Sequence, residues 1–521
     1  MTQAGRNWPK AWSGRTYMTD NTSETGRPAM VSAVDGDPPH IVKPEDRGGA
    51  WDKPAIGWAM FEFARNPYYI LVLIYIFSPY LAKEVVGATA LADGMFNGLT
   101  ESEALAAANA HGQAFVAGVS KWSGMFAALT APLLGATLDR GGKRKPIIAI
   151  VLSIIAITSF TLWWAKPGGE GLSLFAIGAI MVVAYISYTY SEVIHNAMLS
   201  DAGRPQVLSK ISGNGLALGN LAATLLMIFV VVCFAMPAQS GVPFSGPLFG
   251  LDPSQFEESR IVGPIAALWM LVFIWPFFLW SPDAGKKGAS WVKAAKEGFA
   301  GLWGTIKKAR EYKEVMKFLF ARMIFADGIS ALMLIGAVYV AGVLGWSVVE
   351  LVAYAIWLSV FAVMGGFFAG FLDRRLGMKH AIMLQLAVIT VVLFALISIT
   401  QESLFYGLLE SQRVLEGDIF SHTHDWAYLG IAALLGTFVT ALLSSSRSLL
   451  VALAPKHMMG EFFGLYAIAG TVTVWVGPLL IEIFTSTFKS QRVGISTISF
   501  LTIGGLIALA FVRYKKGEAT E

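Results

Sequence analysis

Three polar side chains stand close together in the first long apolar stretch of the chain, where they could bind a solute. Glu62 and Arg65 are three residues apart, so both lie on one face of a helix. Asn66 follows directly, and Pro67 removes one helical hydrogen bond, which would leave a backbone carbonyl free nearby. A charge at the bilayer centre costs about 2.5–3.5 kcal/mol, so such residues predict a functional site. The alternative is that Glu62 and Arg65 only neutralise each other.

Two further charged residues lie in later apolar stretches. Asp327 has no basic residue three or four positions away, so it needs a cation, a proton or a partner helix to offset its charge. We expect it to bind substrate or couple transport to an ion, or else to pair structurally across helices. Arg447 stands in a run of serines, where an arginine can hold a carboxylate through two hydrogen bonds. Its alternative is to reach the cytoplasmic edge, since Pro455 ends the helix soon after.

A short pattern of glycine, Asp-Arg and further basic residues occurs twice between apolar stretches, at 135–145 and 370–379. One copy in each half indicates two related bundles, an arrangement that many secondary transporters share. We expect the Asp-Arg pairs to clamp helices in one state of a transport cycle, together with polar residues on a further helix. The predicted gating residues are Asp139, Arg140, Asp373, Arg374, Glu192 and Asn196.

The sequence gives little indication of metal binding, ATP hydrolysis or enzyme catalysis. Glu192 and His195 have a metal-ligand spacing without its second copy, and the cluster at 422–425 is short, so we predict no metal. Gly142-Lys143 lacks the remainder of a phosphate-binding loop, which argues against an ATP-driven pump. No nucleophile and base stand at a convincing spacing. We therefore expect neither a cofactor nor an enzyme.

The composition predicts the elements that must position these residues. Of 521 residues, 55% are hydrophobic and 14% are charged, which is less charge than a soluble domain carries. About 20 apolar residues span a bilayer as a helix. The sequence therefore predicts an all-α membrane protein of twelve transmembrane helices in two pseudo-symmetric six-helix bundles, with a bend at Gly477-Pro478. The predicted spans are 54–81, 113–137, 146–165, 171–199, 209–236, 260–281, 314–343, 348–372, 380–400, 427–453, 459–486 and 492–513.

Charge in the loops predicts the orientation. Lysines and arginines cluster between predicted helices 2 and 3, 6 and 7, and 8 and 9, so the positive-inside rule places both termini in the cytoplasm. The net charge of +4 is small and gives no reason to expect nucleic acid. The predicted domains are a disordered tail at 1–53, a bundle at 54–281, a linker with an amphipathic helix at 282–313, a bundle at 314–513 and a tail at 514–521.

Motifs spread over residues 54–513 resemble one known family. They lie at 58–66, 196–201, 327–328, 446–448 with Pro455, 460–466 with 477–478, and 490–492. Together with the joint at 135–145, they resemble the major facilitator superfamily, in the branch of the fungal autophagy-related vacuolar amino-acid effluxer and its bacterial relatives. The resemblance implies the major facilitator fold and export of amino acids. Relatives usually carry Tyr-Asp at Phe61-Glu62 and a small residue at Arg65, so the substrate is not carried over.

These observations lead to two hypotheses. The first is a monomeric secondary transporter in a bacterial inner membrane, which moves a small polar solute by alternating access. Glu62, Arg65, Asn66, Asp327 and Arg447 would line its site, and Glu62 and Asp327 motivate a co-transported proton. The second is a non-transporting membrane sensor or scaffold that acts through its cytoplasmic loop.

Overall fold

Helices make up nearly all of the computed structural model, which describes residues 48–138, 143–167, 170–236, 246–283, 304, 307, 310–417, 419–455 and 458–514. Several predictions fall outside these residues: most of the tail at 1–53, most of the linker with its amphipathic helix, the gating pair Asp139 and Arg140, and nearly all of the tail at 514–521. The remaining predicted site residues are described.

The described helices of the first half begin with a helical run that contains two π-helical segments and a bend at Ile76. Its parts are α1 (Lys53–Pro67), π-helix Tyr68–Tyr75, α2 (Phe77–Tyr80), π-helix Leu81–Gly87 and α3 (Ala88–Ala92). The α-helices that follow are α4 (Glu101–Leu138), α5 (Lys145–Thr161), α6 (Leu174–Met198), α7 (Leu208–Val230), α8 (Glu257–Arg260), α9 (Val262–Phe273) and α10 (Trp275–Trp280). A π-helix at Val231–Ala235 and 3₁₀ turns at Leu162–Trp164, Leu199–Asp201, Pro205–Val207, Leu248–Gly250 and Pro253–Gln255 complete it.

The second half contains long helices and one small hairpin. Its helices are α11 (Lys313–Val343), α12 (Val348–Leu376), α13 (Met378–Ile397), α14 (Thr423–Leu453), α15 (Met459–Ala469), α16 (Val476–Phe488), α17 (Gln491–Ser496) and α18 (Ile498–Ala510). Strands β1 (Ser403–Leu404) and β2 (Leu409–Glu410) pair antiparallel, with Ser403 opposite Glu410. This hairpin lies in the connection between α13 and α14.

The ends of the first two predicted helices were wrong. The first helical run continues to Ala92 rather than ending near residue 81, and α4 begins at Glu101 rather than near 113. The predicted ends followed the ends of the apolar stretches. A helix can continue beyond an apolar stretch where the residues have a high helix propensity. The extension of α4 is rich in alanine, the best helix former, and two acidic residues in its first turn favour a helix N-terminus.

The eleventh predicted helix is interrupted. Its two parts, α15 and α16, are separated by turns at 470–475, directly before the bend predicted at Gly477-Pro478. Pro478 is the third residue of α16. Proline is tolerated there, because the N–H groups of the first helical turn have no acceptor within the helix. The interruption leaves backbone N–H groups at the start of α16 in need of partners.

The class of the protein is that of a helical membrane protein. Ten described helices are long and apolar enough to cross a membrane. The long helix α4 and the interrupted pair α15 and α16 occupy the other two predicted positions, but neither passes the same test of length and composition. The total of twelve crossings therefore stays a prediction.

Helix packing brings the candidate site together. In the first half, α1 packs against α7, α9 and α10, while α6 packs against α4 and α5. In the second half, α11 packs against α18, and α14 lies against α12 and α13. Between the halves, α4 packs against α16 and α11. The predicted site residues on α1 and α11 consequently lie at the centre of their own halves.

Candidate solute-binding site

Glu62 and Arg65 form the ion pair that their spacing predicts. One guanidinium nitrogen, Nη2, lies 3.0 Å from each carboxylate oxygen of Glu62. Nη1 donates to Ser191 Oγ at 3.2 Å, and the guanidinium lies 4.2 Å from the ring centre of Tyr188 on α6. The Arg65 side chain is 2% exposed and that of Glu62 is 18% exposed. Glu62 and Arg65 therefore neutralise each other's charge, while the Glu62 carboxylate remains partly exposed.

His195 of α6 is a third member of this cluster. Its Nδ1 lies 3.2 Å from Glu62 Oε1, and its ring is sandwiched between Trp58 and Phe61, with centroids 4.0 and 4.1 Å away. His195 Nε2 lies 2.9 Å from the Trp58 carbonyl, and the Trp58 indole N–H donates to the His195 carbonyl at 2.9 Å. These bonds fasten α1 to α6. The metal-ligand spacing with Glu192 did not reveal this role.

The bonding around His195 leaves one of its nitrogens without a hydrogen-bond partner among the described residues. The Trp58 carbonyl can only accept, so Nε2 carries the hydrogen of the neutral ring. The remaining nitrogen, Nδ1, lies 3.2 Å from Glu62 Oε1 and has no hydrogen-bond partner among the described residues. Both atoms are acceptors in their unprotonated forms, and a proton added between them would join them. The pair is therefore a place where the cluster could take up a proton.

The carbonyl that Pro67 was expected to free is not free. Pro67 has no N–H to donate to the Phe63 carbonyl four residues earlier, and the indole N–H of Trp269 on α9 donates to it at 3.0 Å instead. The helix continues through Pro67 as a π-helical segment. Asn66 donates to Asn220 Oδ1 on α7 at 3.3 Å. Asn66 thus links two helices beside Glu62.

Two glycines of α7 allow this helix to lie close to the Glu62 side of α1. A Cβ at Gly219 would lie 3.1 Å from Asn66 Cβ and 3.2 Å from Glu62 Cβ. A Cβ at Gly215 would lie 2.8 Å from the Trp58 ring. Small residues at such positions permit close helix approach. The close packing at these glycines therefore also positions the candidate site.

Glu192 and Asn196, predicted as gating residues, are both exposed on α6. Glu192 lies near enough to Arg65, Tyr69 and Tyr188 for its charge to act on each of them. The rings of Tyr69 and Tyr188 stack with centroids 5.0 Å apart. Glu192 thus adds a second carboxylate to the cluster of Glu62 and Arg65, and the side of the first half that carries the cluster is acidic and aromatic.

Asp327 lies in a different setting from Glu62. Its side chain is buried, and Oδ2 accepts the backbone N–H of Gly477 at 3.0 Å. Gly477 is the second residue of α16, so the carboxylate meets the positive end of that helix. Its other oxygen, Oδ1, has no hydrogen-bond partner within the described part of the chain. Of the partners considered from sequence, a partner helix is the one found, and a proton on the second oxygen is compatible with it.

Arg447 and Arg322 lie together on the second half. Arg447 is exposed on α14 and close enough to Arg322 of α11 for their like charges to act on each other. Arg322 is partly buried, donates from Nη1 to the Tyr466 carbonyl at 2.6 Å, and lies 3.5 Å from the Tyr466 ring centre. The proximity to α11 favours a site position for Arg447 over one reaching only to the membrane edge. Arg322 was not among the predicted site residues.

Asp373 of the second repeated joint contacts neighbouring helices. The Ser445 hydroxyl of α14 is within hydrogen-bonding reach of its carboxylate, and Gln385 of α13 donates to Ser445 Oγ at 3.0 Å. Asp373 therefore ties the end of α12 to α14, and Ser445 extends this link to Gln385 of α13. Arg374 follows it in α12. Gating by these residues stays a prediction.

Sequence reasoning missed a polar seam between the halves. Lys121 Nζ of α4 lies 2.9 and 2.6 Å from the two carboxylate oxygens of Glu482 on α16. Nearer the start of α4, Gln113 donates to Thr485 Oγ1 at 3.0 Å and accepts from Gln491 Nε2 at 3.1 Å. Lys121 and Glu482 are charged residues inside predicted membrane helices. That placement is the signal in the sequence by which they could have been found.

A cavity between the described helices is separate from these clusters. It measures about 450 Å³ and lies between the halves, where segments 76–84, 253–259 and 345–351 line it. None of the predicted site residues lines it. The solute site is therefore sought at the charged clusters rather than in this cavity.

The histidines near the start of α14 are engaged in local bonds. His424 Nε2 lies 3.2 Å from Asp425 Oδ1, which also accepts the Trp346 indole N–H at 2.6 Å. The other oxygen of Asp425 accepts the His422 N–H at 3.0 Å and so caps the helix. Within the part of the chain that the structure describes, no three His, Cys, Asp or Glu side chains are grouped for a metal.

Comparison with protein families and curated proteins gives consistent matches. Residues 200–521 match the model of a family described as "Vacuole effluxer Atg22 like". Autophagy-related protein 22 of Coccidioides immitis is 24% identical over 321 residues, which is 60% of this chain and 49% of that protein. The chain thus spans about half the length of this fungal relative. An uncharacterized MFS-type transporter, YxiO of Bacillus subtilis, is 22% identical over 87% of this chain and 94% of its own.

Solved structures show the same fold. A mutant of the nucleoside transporter NupG aligns with a TM-score of 0.55 at 14% identity and covers 88% of this chain and 98% of its own. The xylose transporter XylE from E. coli, in an inward open conformation, aligns with a TM-score of 0.54 at 12% identity over 90% and 97%. At these identities the likeness concerns the fold alone.

Proposed function

Since the chain belongs to the family described as Atg22-like vacuole effluxers, we propose that it moves a small polar solute across a membrane by alternating access. It is a multi-pass membrane transporter of the major facilitator type and not an enzyme. The observation that carries the proposal is a charged cluster in each half, with Glu62 and Arg65 in the first and Arg322 and Arg447 in the second. Amino acids, which offer both charges, are the first candidates.

The contacts between the halves support alternating access in which the two halves tilt relative to each other. Asn109 donates to the Gly342 carbonyl at 3.1 Å, and the Gln113 and Lys121 contacts follow along the same helix. A Cβ at Gly124 would lie 3.3 Å from Trp475. All these contacts fall within residues 109–124 of α4, toward its predicted outer end. Exposed Glu192, Asn196 and Arg447 lie near the predicted cytoplasmic ends of their helices. We propose that the halves meet outside and part inside.

Proton coupling is proposed at Glu62 and Asp327. A proton between Glu62 Oε1 and His195 Nδ1, which lie 3.2 Å apart, would join them, and Asp327 Oδ1 has no partner among the described residues and could hold another. Solute binding near Glu62 would displace or recruit that proton. Transport by the double variant Glu62→Gln, Asp327→Asn should lose its dependence on pH. An unchanged pH dependence in that variant would remove the proton from the proposal.

The proposed location is a bacterial inner membrane with both termini in the cytoplasm, and the proposed unit is a monomer. The basic loops support the orientation. The Bacillus relative, which matches over most of both chains, supports a bacterial membrane. Labelling of single cysteines in the loops by impermeant reagents from each side would test the orientation.

A counterflow assay tests the proposed function. Purified protein in proteoliposomes would be given labelled amino acids, small peptides and organic acids, beside an Asp327→Asn variant. Exchange of one solute class, lost in the variant, supports transport with Asp327 in the mechanism. If folded protein exchanges no member of a broad panel, the transport proposal fails and the sensor hypothesis gains weight.

A further inference from the structure

We propose that the second half contains an oxyanion subsite, in which Arg322 and Arg447 receive a carboxylate or phosphate group of the solute. This proposal rests on the proposed transport function, because the ligand is the solute being moved. It goes beyond that function by naming the solute's charged group and the two residues that hold it.

The first support is that Arg322 is only partly satisfied. Its guanidinium has five N–H donors, and the described structure gives one bond, from Nη1 to the Tyr466 carbonyl. No described carboxylate pairs with it. A Cβ at Gly470 would lie 2.7 Å from Nη1, so glycine there leaves room for the guanidinium. The described part of the fold therefore makes space for a partly buried cation without supplying an anion.

The second support is that Arg447 lies near Arg322. Arg447 is exposed and makes no hydrogen bond or ion pair with the described residues, yet its charge acts on Arg322. Tyr466 joins the two, because its carbonyl and ring hold Arg322 and its hydroxyl donates to Ser446 at 3.0 Å, next to Arg447. Two guanidinium groups near each other, with no counter-ion among the residues that the structure describes, form a site for an oxyanion, because each can donate parallel N–H bonds to it.

The third support is the contrast with the first half. Glu62 lies nine residues after the first residue of α1, and Arg322 lies nine residues after the first residue of α11. Glu192 lies six residues before the last residue of α6, and Arg447 six before the last residue of α14. Positions at equal distances from these helix ends thus carry acids in the first half and bases in the second. A solute between the halves would turn its anionic group toward the second half.

The test uses probes that differ in one charged group. Full-length protein would be assayed for counterflow and for ligand-dependent thermal stabilisation with L-leucine against L-leucinamide, and with glycerol 3-phosphate against glycerol. The first pair reports a carboxylate and the second a phosphate. The variants are Arg322→Gln, Arg447→Gln and Arg447→Lys, and Arg413→Gln in the outer loop is the control. Because Arg447 is exposed and unbonded among the described residues, its variants should fold like the wild type.

The expected result is that only the anionic member of one pair is exchanged and stabilises the protein. Arg447→Gln and Arg322→Gln should reduce exchange at least tenfold, Arg447→Lys should reduce it less, and Arg413→Gln should not change it. Equal exchange of the charged and uncharged members, or full exchange by both glutamine variants, would overturn the subsite while leaving transport intact. A wild-type protein that neither exchanges nor is stabilised by any probe overturns the subsite, and absence of exchange across the broader panel overturns the proposed function itself.

Discussion

At the scale of single residues, Arg65 owes its burial to its partners. The guanidinium is bonded to Glu62 and Ser191 and lies against Tyr188. Removing one member of a buried ion pair leaves the other uncompensated, which costs roughly 3–5 kcal/mol, whereas replacing both by neutral groups costs far less. The balance of charge between Glu62 and Arg65 therefore contributes to the stability of the protein, whether or not the cluster also binds solute.

This balance gives the first prediction. Arg65→Met should lower the stability of the protein by an amount near the low end of that range, since Glu62 is 18% exposed. The double variant Glu62→Gln, Arg65→Met should be more stable than Arg65→Met alone, because no unpaired charge remains. Thermal unfolding in detergent measures both. Additive losses in the double variant would show that the pair does not act as a unit.

Asp327 gives a second prediction, which separates its structural role from coupling. Asp327→Asn keeps an oxygen that can accept the Gly477 N–H, whereas Asp327→Ala leaves that N–H without its partner at a cost of about 1–3 kcal/mol. We therefore expect the alanine variant to unfold at a lower temperature and the asparagine variant to unfold close to the wild type. Equal unfolding temperatures for the two variants would exclude the role at the start of α16.

The residue-level predictions from sequence succeeded where partners are near in the chain. Glu62 and Arg65 are one helical turn apart, so their contact follows from helix geometry. His195 lies 133 positions after Glu62, and its contact depends on how α6 packs against α1. Arg322 and Arg447 are 125 positions apart, and no local spacing brings them together. Such partners require the tertiary structure.

At the scale of elements, the fit of α7 against α1 sets the position of Glu62. Gly219 allows this approach, since any side chain there would meet Asn66 and Glu62. Gly213, on the same helix, has nothing within 4 Å of an added Cβ. The same substitution can therefore be compared at a closely packed position, Gly219, and at an unpacked position, Gly213.

The third prediction follows from this comparison. Gly219→Val should destabilise the protein by about 1–3 kcal/mol and impair exchange, because an overpacked contact shifts α7 and displaces the Glu62 cluster. Gly213→Val should leave both nearly unchanged. Thermal unfolding and counterflow on the two variants are the measurements. Similar losses in both would mean that helix propensity, rather than close approach, explains the effect.

Apolar periodicity predicted most helices but not where they end or break. Residues 101–112 are helical although they include polar and acidic side chains, because alanine and the first-turn acids favour a helix. The bend near Pro478 was predictable from the proline. The turns at 470–475 that precede it were not, because they depend on bonds from other helices, such as Asp327 to Gly477 and Thr473 Oγ1 to the Met323 carbonyl.

At the scale of the whole molecule, the polar seam on α4 holds the halves together. Gln113 bonds Thr485 and Gln491, and Lys121 bonds Glu482. Each neutral hydrogen bond contributes about 0.5–1.5 kcal/mol, so losing two or three shifts a conformational equilibrium roughly tenfold or more. Bonds that hold one state can be exchanged in a transport cycle more readily than an apolar core can be separated.

The fourth prediction concerns the opening of this seam. A cysteine at Ala117, which is fully buried on α4, should react slowly with an impermeant maleimide in a Cys233→Ala background. Adding Gln113→Leu should raise the labelling rate from the outer side several-fold, because the outward-open state gains population. Gln401→Leu, in an exposed turn, is the control. An unchanged rate with Gln113→Leu would show that the seam does not hold the closed state.

The most direct test of the central claim is whether solute exchange depends on the charged cluster of the first half. Counterflow would be measured for wild-type protein, Glu62→Gln and the exposed-loop control Glu402→Gln, with thermal unfolding of each. We predict at least a tenfold loss of exchange in Glu62→Gln, an unchanged control, and protein that is folded at the assay temperature in all three, with a lower unfolding temperature for Glu62→Gln because Arg65 loses its counter-charge. Undiminished exchange by folded Glu62→Gln would contradict the account, because the solute would then pass without using this cluster.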